Sequence, residues 1–277
     1  MQLKMLGCGD AYDSVNTNAS MLVTQDNFTL LIDCGPTVPQ AFFAEVLARR
    51  AHKNVGDAGA NKPCMNEDSI DAIYLTHAHP DHCLGLTTLV NWMNAKGRTK
   101  PLAIIGQETQ WPIFKSLLQF ASWPQTSLNF ECEWVDSLTI TDIGPWSAKT
   151  SPTLHAVNNL SLYLSNDRHA FFYSGDGRLT SEGEALAVQA DIAFLECEYL
   201  LSHESHGAWQ DICRLPFTTE THCFLYHIDP QYRAELKRQC ESKPNTSVAH
   251  DGLRLSLASA SMSTKTFHNP KAQTNVA

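Results

Sequence analysis

No run of apolar residues in the 277-residue chain approaches the roughly 18–20 that a membrane span requires. Its first eight residues, Met1-Gln2-Leu3-Lys4-Met5-Leu6-Gly7-Cys8, form a stretch too short and too soon interrupted for a secretory leader. There is no CxxC pair among nine cysteines at 8, 34, 64, 83, 132, 197, 213, 223 and 240, which argues against a zinc finger or a thioredoxin-like redox site. Free, mostly buried thiols in a reducing cytoplasm are the expectation instead. Basic charge is scarce too: 20 Lys+Arg face 29 Asp+Glu, a formal −9 that disfavours holding nucleic acid by bulk charge. Internal repeats, low-complexity blocks and dividing linkers are all absent. What is present is 43% hydrophobic residues, enough for a sizeable core, and twelve histidines, the commonest metal-ligand side chain.

Strand and helix patterns mix along the whole length. Leu3–Leu6 reads as a strand punctuated by Gly7 and Gly9, and Ser20–Thr24 with Phe28–Asp33 as a hairpin turning at Asp26-Asn27. Pro39–Arg50 has apolar residues at helical spacing, and its Arg49-Arg50-His52-Lys53 run reads as a C-terminal charge complement. The polar His52–Ser69 segment, broken by Gly56, Gly59 and Pro63, reads as an exposed loop. Beyond it come strands at Ile70–Leu75 and Leu102–Ile105 and helices at Leu84–Lys96 and Glu108–Phe120. Short strands follow at Asn129–Trp134, Leu138–Ile140, Leu160–Leu164 and Ala170–Tyr173. A helix at Ser181–Ala187, strands at Ile192–Glu196 and Cys223–His227, and a helix at Gln231–Glu241 lead to a closing hairpin, Val248–Leu257, around Asp251-Gly252. The reading is one α/β domain over residues 1–258 and a polar, frayed tail over 259–277.

The sharpest feature is Thr76-His77-Ala78-His79-Pro80-Asp81-His82, between a buried strand and a helix. His77 and His79 are two apart, so on extended backbone they point to one side. Pro80 stiffens the turn that follows, and Asp81 and His82 face a different point. Two ligand pairs so arranged suit two metal ions a few ångströms apart, and imidazole with carboxylate suits zinc, iron or manganese.

This string resembles the HxHxDH signature of the metallo-β-lactamase superfamily. The resemblance implies an α/β fold of the four-layer αβ/βα sandwich type and three further ligands downstream, in the order His, Asp, His. One candidate for each is present: His155 after Ser151-Pro152-Thr153-Leu154, Asp176 in Ser174-Gly175-Asp176-Gly177, and His227 after Phe224-Leu225-Tyr226. By resemblance His77, His79 and His155 hold one divalent ion, Asp81, His82 and His227 the other, and Asp176 bridges. Zinc is the first expectation, with manganese or iron as alternatives. An aspartate at position 176, rather than cysteine, points away from the true β-lactamases.

The opening Leu6-Gly7-Cys8-Gly9-Asp10, then Asn18-Ala19-Ser20 and Leu30-Leu31-Ile32-Asp33-Cys34-Gly35, is similar to the ribonuclease Z-like phosphodiesterase branch. Phe194-Leu195-Glu196-Cys197-Glu198 falls where that branch has an acidic residue partnered by a catalytic histidine, here His206 or His203. A carboxylate orients such an imidazole and raises its pKa, so that it can protonate a leaving oxygen. Only 20 residues separate His155 from Asp176, too few for the inserted arm that grips tRNA in the processing enzymes, so tRNA is disfavoured.

The expected function is therefore a cytoplasmic, metal-dependent hydrolase. It would act as a phosphodiesterase on a small or cyclic phosphodiester, through a dinuclear centre and a metal-bound hydroxide that Asp81 orients, with His206 as acid and Glu196 as its partner. Hydrolysis of an ester, thioester or lactone on the same metals, iron redox chemistry, and a non-catalytic metal-binding protein of the same fold are the alternatives. The substrate would be a small anionic molecule, with no membrane partner, and a homodimer is the default for soluble enzymes. Two divalent ions would bring the formal −9 to about −5. Cys83 reads as a buried helix-start thiol, His52, His169 and His268 as solvated, His222 as packed, and Trp92, Trp111, Trp123 and Trp134 as core or pocket walls.

Overall fold

The computed structural model describes residues 1–54 and 65–257. Two sheets pack face to face. The first runs, in order, β15 (Arg254–Ser256), β1 (Gln2–Gly7), β2 (Ser20–Gln25), β3 (Phe28–Ile32), β4 (Ala72–Tyr74), β5 (Leu102–Gly106) and β6 (Cys132–Asp136). The second runs β11 (Arg178–Leu179), β8 (Trp146–Leu154), β9 (Leu160–Ser165), β10 (Ala170–Tyr173), β12 (Ile192–Glu196), β13 (His222–Tyr226) and β14 (Thr246–Val248), with β7 (Asp142–Ile143) paired to β8. Helices α1 (Val38–Asn54), α3 (Gly85–Ala95) and α4 (Trp111–Ser122) cover the first sheet, and α5 (Ser181–Gln189) and α7 (Arg233–Glu241) the second. Short helices α2 (Pro80–Cys83) and α6 (Trp209–Ile212) stand in connecting loops. The four-layer αβ/βα sandwich is thus the observed architecture, and no helix among the described residues is long and apolar enough to cross a membrane.

Strands buried on both faces explain the unbroken apolar runs of the sequence. In β3, Leu30 and Ile32 enter the core between the sheets while Leu31 faces the helices. In β12, Ile192 and Phe194 face inward while Ala193 and Leu195 meet the outer helices. The β2–β3 hairpin turns where expected, with Asp26 and Asn27 at φ 51° and 66°, as a two-residue turn between right-twisted strands demands.

Three expected elements are corrected, and one strand was missed. Leu138–Ile140 is not a strand; residues 137–139 form a turn. The long strand β8 was hidden because small hydroxyl residues occupy its inward positions: Ser151 and Thr153 are buried, and Thr153 Oγ1 donates to the Asp176 carbonyl. Val248–Leu257 is not a hairpin. Its two ends join different sheets, β14 parallel to β13 and β15 antiparallel to β1, because the Asp251 carboxylate accepts from the Cys8 and Thr17 amides (3.0 and 2.8 Å) and pulls the turn across the sandwich. Helix α1 runs on to Asn54, into the segment expected as loop; residues 55–64 of that segment, and the tail 259–277, lie outside the described residues. Trp92, Trp111 and Trp134 pack against the core, whereas Trp123 is 74% exposed just past the end of α4.

Candidate metal centre

The carboxyl ends of β3, β4, β8, β10, β12 and β13 all open on one edge of the sandwich, the place where open α/β sheets bind ligands. His77 follows β4, His155 follows β8, Asp176 follows β10, Glu196 ends β12 and His227 follows β13. His79 precedes α2, which carries Asp81 and His82 in its single turn with Pro80 at the start, where no amide donor is needed.

The seven expected ligands converge in two groups that share one member. His77, His79, His155 and Asp176 form the first, and Asp81, His82, His227 and Asp176 the second; within each, the candidate ligand atoms lie within 4.8 Å of one another. His79 Nδ1 is 2.9 Å from His77 Nε2 and 3.0 Å from His155 Nε2. Three ring nitrogens crowded this way cannot all be satisfied by the single N–H of each neutral ring. In the second group, Asp81 Oδ2 lies 3.1 Å from His82 Nε2 and 3.2 Å from His227 Nε2, and Asp176 Oδ2 lies 3.2 and 3.4 Å from the same two nitrogens. His82 Nε2 and Asp176 Oδ1 are buried without a hydrogen-bond partner, which is what atoms reserved for a cation look like.

The titration behaviour carries the same message. Burial holds His77 well below its ordinary pKa, and lowers His79 and His155, so these three are neutral donors. Burial works against the charge of Asp81 and Asp176, yet the neighbouring His82 and His227 overcome it and depress both carboxyls. Those two histidines are raised in turn despite burial, His227 to about 9, chiefly by Asp176. The second group sets two carboxylates against two imidazoles and so favours positive charge at its centre. Donor set, crowding and charge all fit two divalent ions.

Residues outside the expected set hold the ligands in place. Asp33, fully buried at the end of β3 with φ 56°, accepts from the Thr76 amide (2.9 Å), the Thr76 hydroxyl (3.0 Å) and His82 Nδ1 (2.9 Å). His155 Nδ1 donates to the Ser205 carbonyl at 3.0 Å. Each partner fixes which ring nitrogen is free to face the centre. The backbones beneath are pressed together: a Cβ on Gly35 would lie 1.8 Å from the Asp81 carbonyl oxygen, and one on Gly85 would lie 2.1 Å from that of Gly35. Asp33 was visible only as part of an Asp-x-Gly string, with nothing in the local sequence to give it a partner.

Beside the centre, His206 Nδ1 lies 2.7 Å from Glu196 Oε1 and 2.8 Å from Glu198 Oε2. Burial opposes its charge, but the two hydrogen-bonded carboxylates raise it to about 10. The other oxygen of Glu196 accepts from the Gly177 and Gly207 amides. His203 is not brought to Glu196; its Nδ1 accepts from the Ser205 amide and its ring lies on Tyr199, 4.6 Å between centroids. Glu198, a second carboxylate on the same imidazole, was missed. Cys83 is buried and its thiol pushed up to about 12, so it is no thiolate ligand. His169 is half-buried against Asp191 (3.7 Å) rather than solvated, and His222 is exposed rather than packed; His52 and His268 fall on residues whose side chains are not described.

Comparison with known proteins follows the same lines. The family profile described as "Anti-Pycsar protein Apyc1" matches residues 1–244. The anti-Pycsar protein Apyc1 of Paenibacillus harenae is 29% identical over 238 residues, covering 82% of this chain and 89% of that one. Among solved structures, the metallo-β-lactamase fold protein YhfI of Bacillus subtilis superposes with a TM-score of 0.70 at 16% identity, over 92% of this chain and 98% of its own. The short form of human tRNase Z gives 0.68 at 16% identity, over 93% and 100%.

Proposed function

Since the chain belongs to the anti-Pycsar protein Apyc1 family and is a hydrolase of the metallo-β-lactamase fold, we propose that it is a dinuclear metal-dependent phosphodiesterase that opens a small or cyclic phosphodiester. The observation that carries this reading is the sharing of Asp176 by two ligand groups, with the Glu196–His206 pair set beside them.

His77, His79, His155 and Asp176 would hold one ion, and Asp81, His82, His227 and Asp176 the other. Two such ions, zinc by preference for this donor set, would lower the pKa of a water toward neutrality and would polarise a phosphoryl oxygen. Asp81 accepts a hydrogen bond from the attacking water and aligns it. His206, its Nδ1–H held by carboxylate, offers the proton on Nε2 to the departing oxygen. The stretch between His155 and Asp176 is taken up by the β9–β10 hairpin, which supports a small anionic substrate over tRNA. Residues 1–258 make up the catalytic domain in this reading. Eight free cysteines among the described residues suit a reducing cytoplasm.

The test is turnover, with defined metals, of 3′,5′-cyclic nucleotides and bis(p-nitrophenyl) phosphate against p-nitrophenyl acetate. Phosphodiester hydrolysis that is lost on chelation is expected. Strong ester hydrolysis with no phosphodiester turnover would overturn the proposal in favour of an esterase or lactonase.

A further inference from the structure

Two histidines of different duty point the same nitrogen at one pair of carboxylates. His206 Nδ1 makes short contacts to both Glu196 Oε1 and Glu198 Oε2, at 2.7 and 2.8 Å. His227 turns its Nε2 to Asp81 and Asp176, so its Nδ1 faces the other way, 3.8 Å from Glu196 Oε1 and 4.0 Å from Glu198 Oε2. That Nδ1 is buried and has no hydrogen-bond partner.

The two carboxylates are not equivalent. Glu196 is 2% exposed and its Oε2 is committed to the Gly177 and Gly207 amides, which leaves Oε1 alone for both imidazoles. Oε1 accepts from His206 Nδ1, and at 3.8 Å it is beyond hydrogen-bond reach of His227 Nδ1. Glu198 stands two residues on, on the same side of the extended chain as Glu196, and its side chain retains 18% exposure. Its carboxylate also meets the Tyr199 hydroxyl, and its Oε2 lies 2.8 Å from His206 Nδ1.

We propose that Glu198 is a second positioning residue of the proton donor: together with Glu196 it holds the Nδ1 edge of His206 and keeps Nε2 turned to the cleft. This rests on the phosphodiesterase reading and adds a second carboxylate to the Glu196–His206 pair within it. In the step concerned, the attacking water forms the new P–O bond and gives up a proton to solvent. The bond from phosphorus to the leaving oxygen breaks, and the Nε2 proton of His206 passes to that oxygen. The ring is left neutral and takes its next proton from solvent.

A leaving group that departs unaided needs no such proton, which separates positioning from mere structural support. In the metal-loaded enzyme, Glu198→Gln lowers kcat on a 3′,5′-cyclic nucleotide, whose leaving oxygen is an alkoxide, by about 10–100-fold at little change in KM, the range found for residues that orient catalytic groups. On bis(p-nitrophenyl) phosphate the same variant stays within about threefold of wild type, with metal content and thermal midpoint unchanged. An equal loss on both substrates, or a loss on neither, overturns the inference. A wild-type enzyme inactive on every phosphodiester would sink the functional reading instead. In that case the inference is read without turnover: the hydrogen-bonded Nδ1–H proton resonance of His206, in histidine-labelled protein, shifts or disappears in Glu198→Gln if Glu198 holds it, and is unchanged if it does not.

Discussion

Replacing Asp33 with asparagine changes neither the size nor the shape of the side chain, and the left-handed backbone at this position (φ 56°) is one that asparagine tolerates. What changes is polarity. Asp33 Oδ1 receives the Thr76 amide, Oδ2 receives His82 Nδ1, and the Thr76 hydroxyl lies 3.0 Å from both oxygens. An amide has one oxygen for two N–H groups that arrive from opposite sides, so one of them must face an NH₂ group. Asp33 and His82 are both fully buried, so no water relieves that clash. A buried donor left unmatched costs about 1–3 kcal/mol. If the backbone bond to Thr76 is kept, the loss falls on His82, whose Nε2 is then no longer aimed at the centre. Loss of such an orienting partner weakens metal binding about 10–100-fold, or about 1.4–2.8 kcal/mol. The assay is competition between the purified variant and a chelator, paired with thermal unfolding at fixed saturating metal. The variant should show the weaker binding and a correspondingly smaller metal-dependent rise in midpoint. Wild-type affinity together with a wild-type rise would refute the argument that Asp33 orients His82.

Three further outcomes follow from the geometry. Gly35→Ala forces a methyl to within 1.8 Å of the Asp81 carbonyl oxygen, backbone that carries the ligands; a loss of more than about 3 kcal/mol and of bound metal is expected, measured by urea unfolding and element analysis. His155→Ala removes one member of the first ligand group only, so element analysis should find about one ion per chain in place of two, while the second group keeps its own. Glu45, 3% exposed, is ringed by Lys4, Arg49 and Arg254; burial opposes its charge, but these cations hold its carboxyl down at about 2. A depressed carboxylate stabilises the fold above its unfolded pKa, and that stability goes as pH falls through the folded value. The gap sets a ceiling of about 3 kcal/mol, which solvent screening of the half-exposed Arg254 lowers. The stability difference between wild type and Glu45→Gln should therefore be full at pH 6, shrink below pH 4.5 and nearly vanish by pH 2; a difference independent of pH would contradict the assignment.

What could be read in the sequence depended on how local its cause was. The spacing of His77, His79, Asp81 and His82 is fixed by one strand end and one helical turn, so the cluster was legible as it stood. His155, Asp176 and His227 came from resemblance, and the structure brings all three to the same edge. Asp33 could not be found that way, because its bond to His82 spans 49 positions and exists only because β3 and β4 run parallel as neighbours. Strand β8 was missed for a physical reason as well: hydroxyls that are hydrogen-bonded in place can line a buried face, and a pattern search for apolar alternation passes over them. The closing hairpin failed because Asp251-Gly252 is a good turn in either topology, and the choice was made by the Cys8 and Thr17 amides, far upstream.

That choice has a bearing on how the protein is made. Strand β1 is made long before its partner β15 and before the Asp251 carboxylate that secures the loop after β1, 243 positions downstream of Cys8. His227 N is itself bonded to the Cys8 carbonyl, and Gly9 bridges to Ile228, so the second ligand group leans on that same loop. A nascent chain that has passed Asp176 but not Asp251 owns nearly every ligand and still lacks the clasp that seats them. A chain cut before residue 251 would carry the signature motif without the carboxylate that clasps the Cys8 and Thr17 amides, and reduced metal retention is its expected readout.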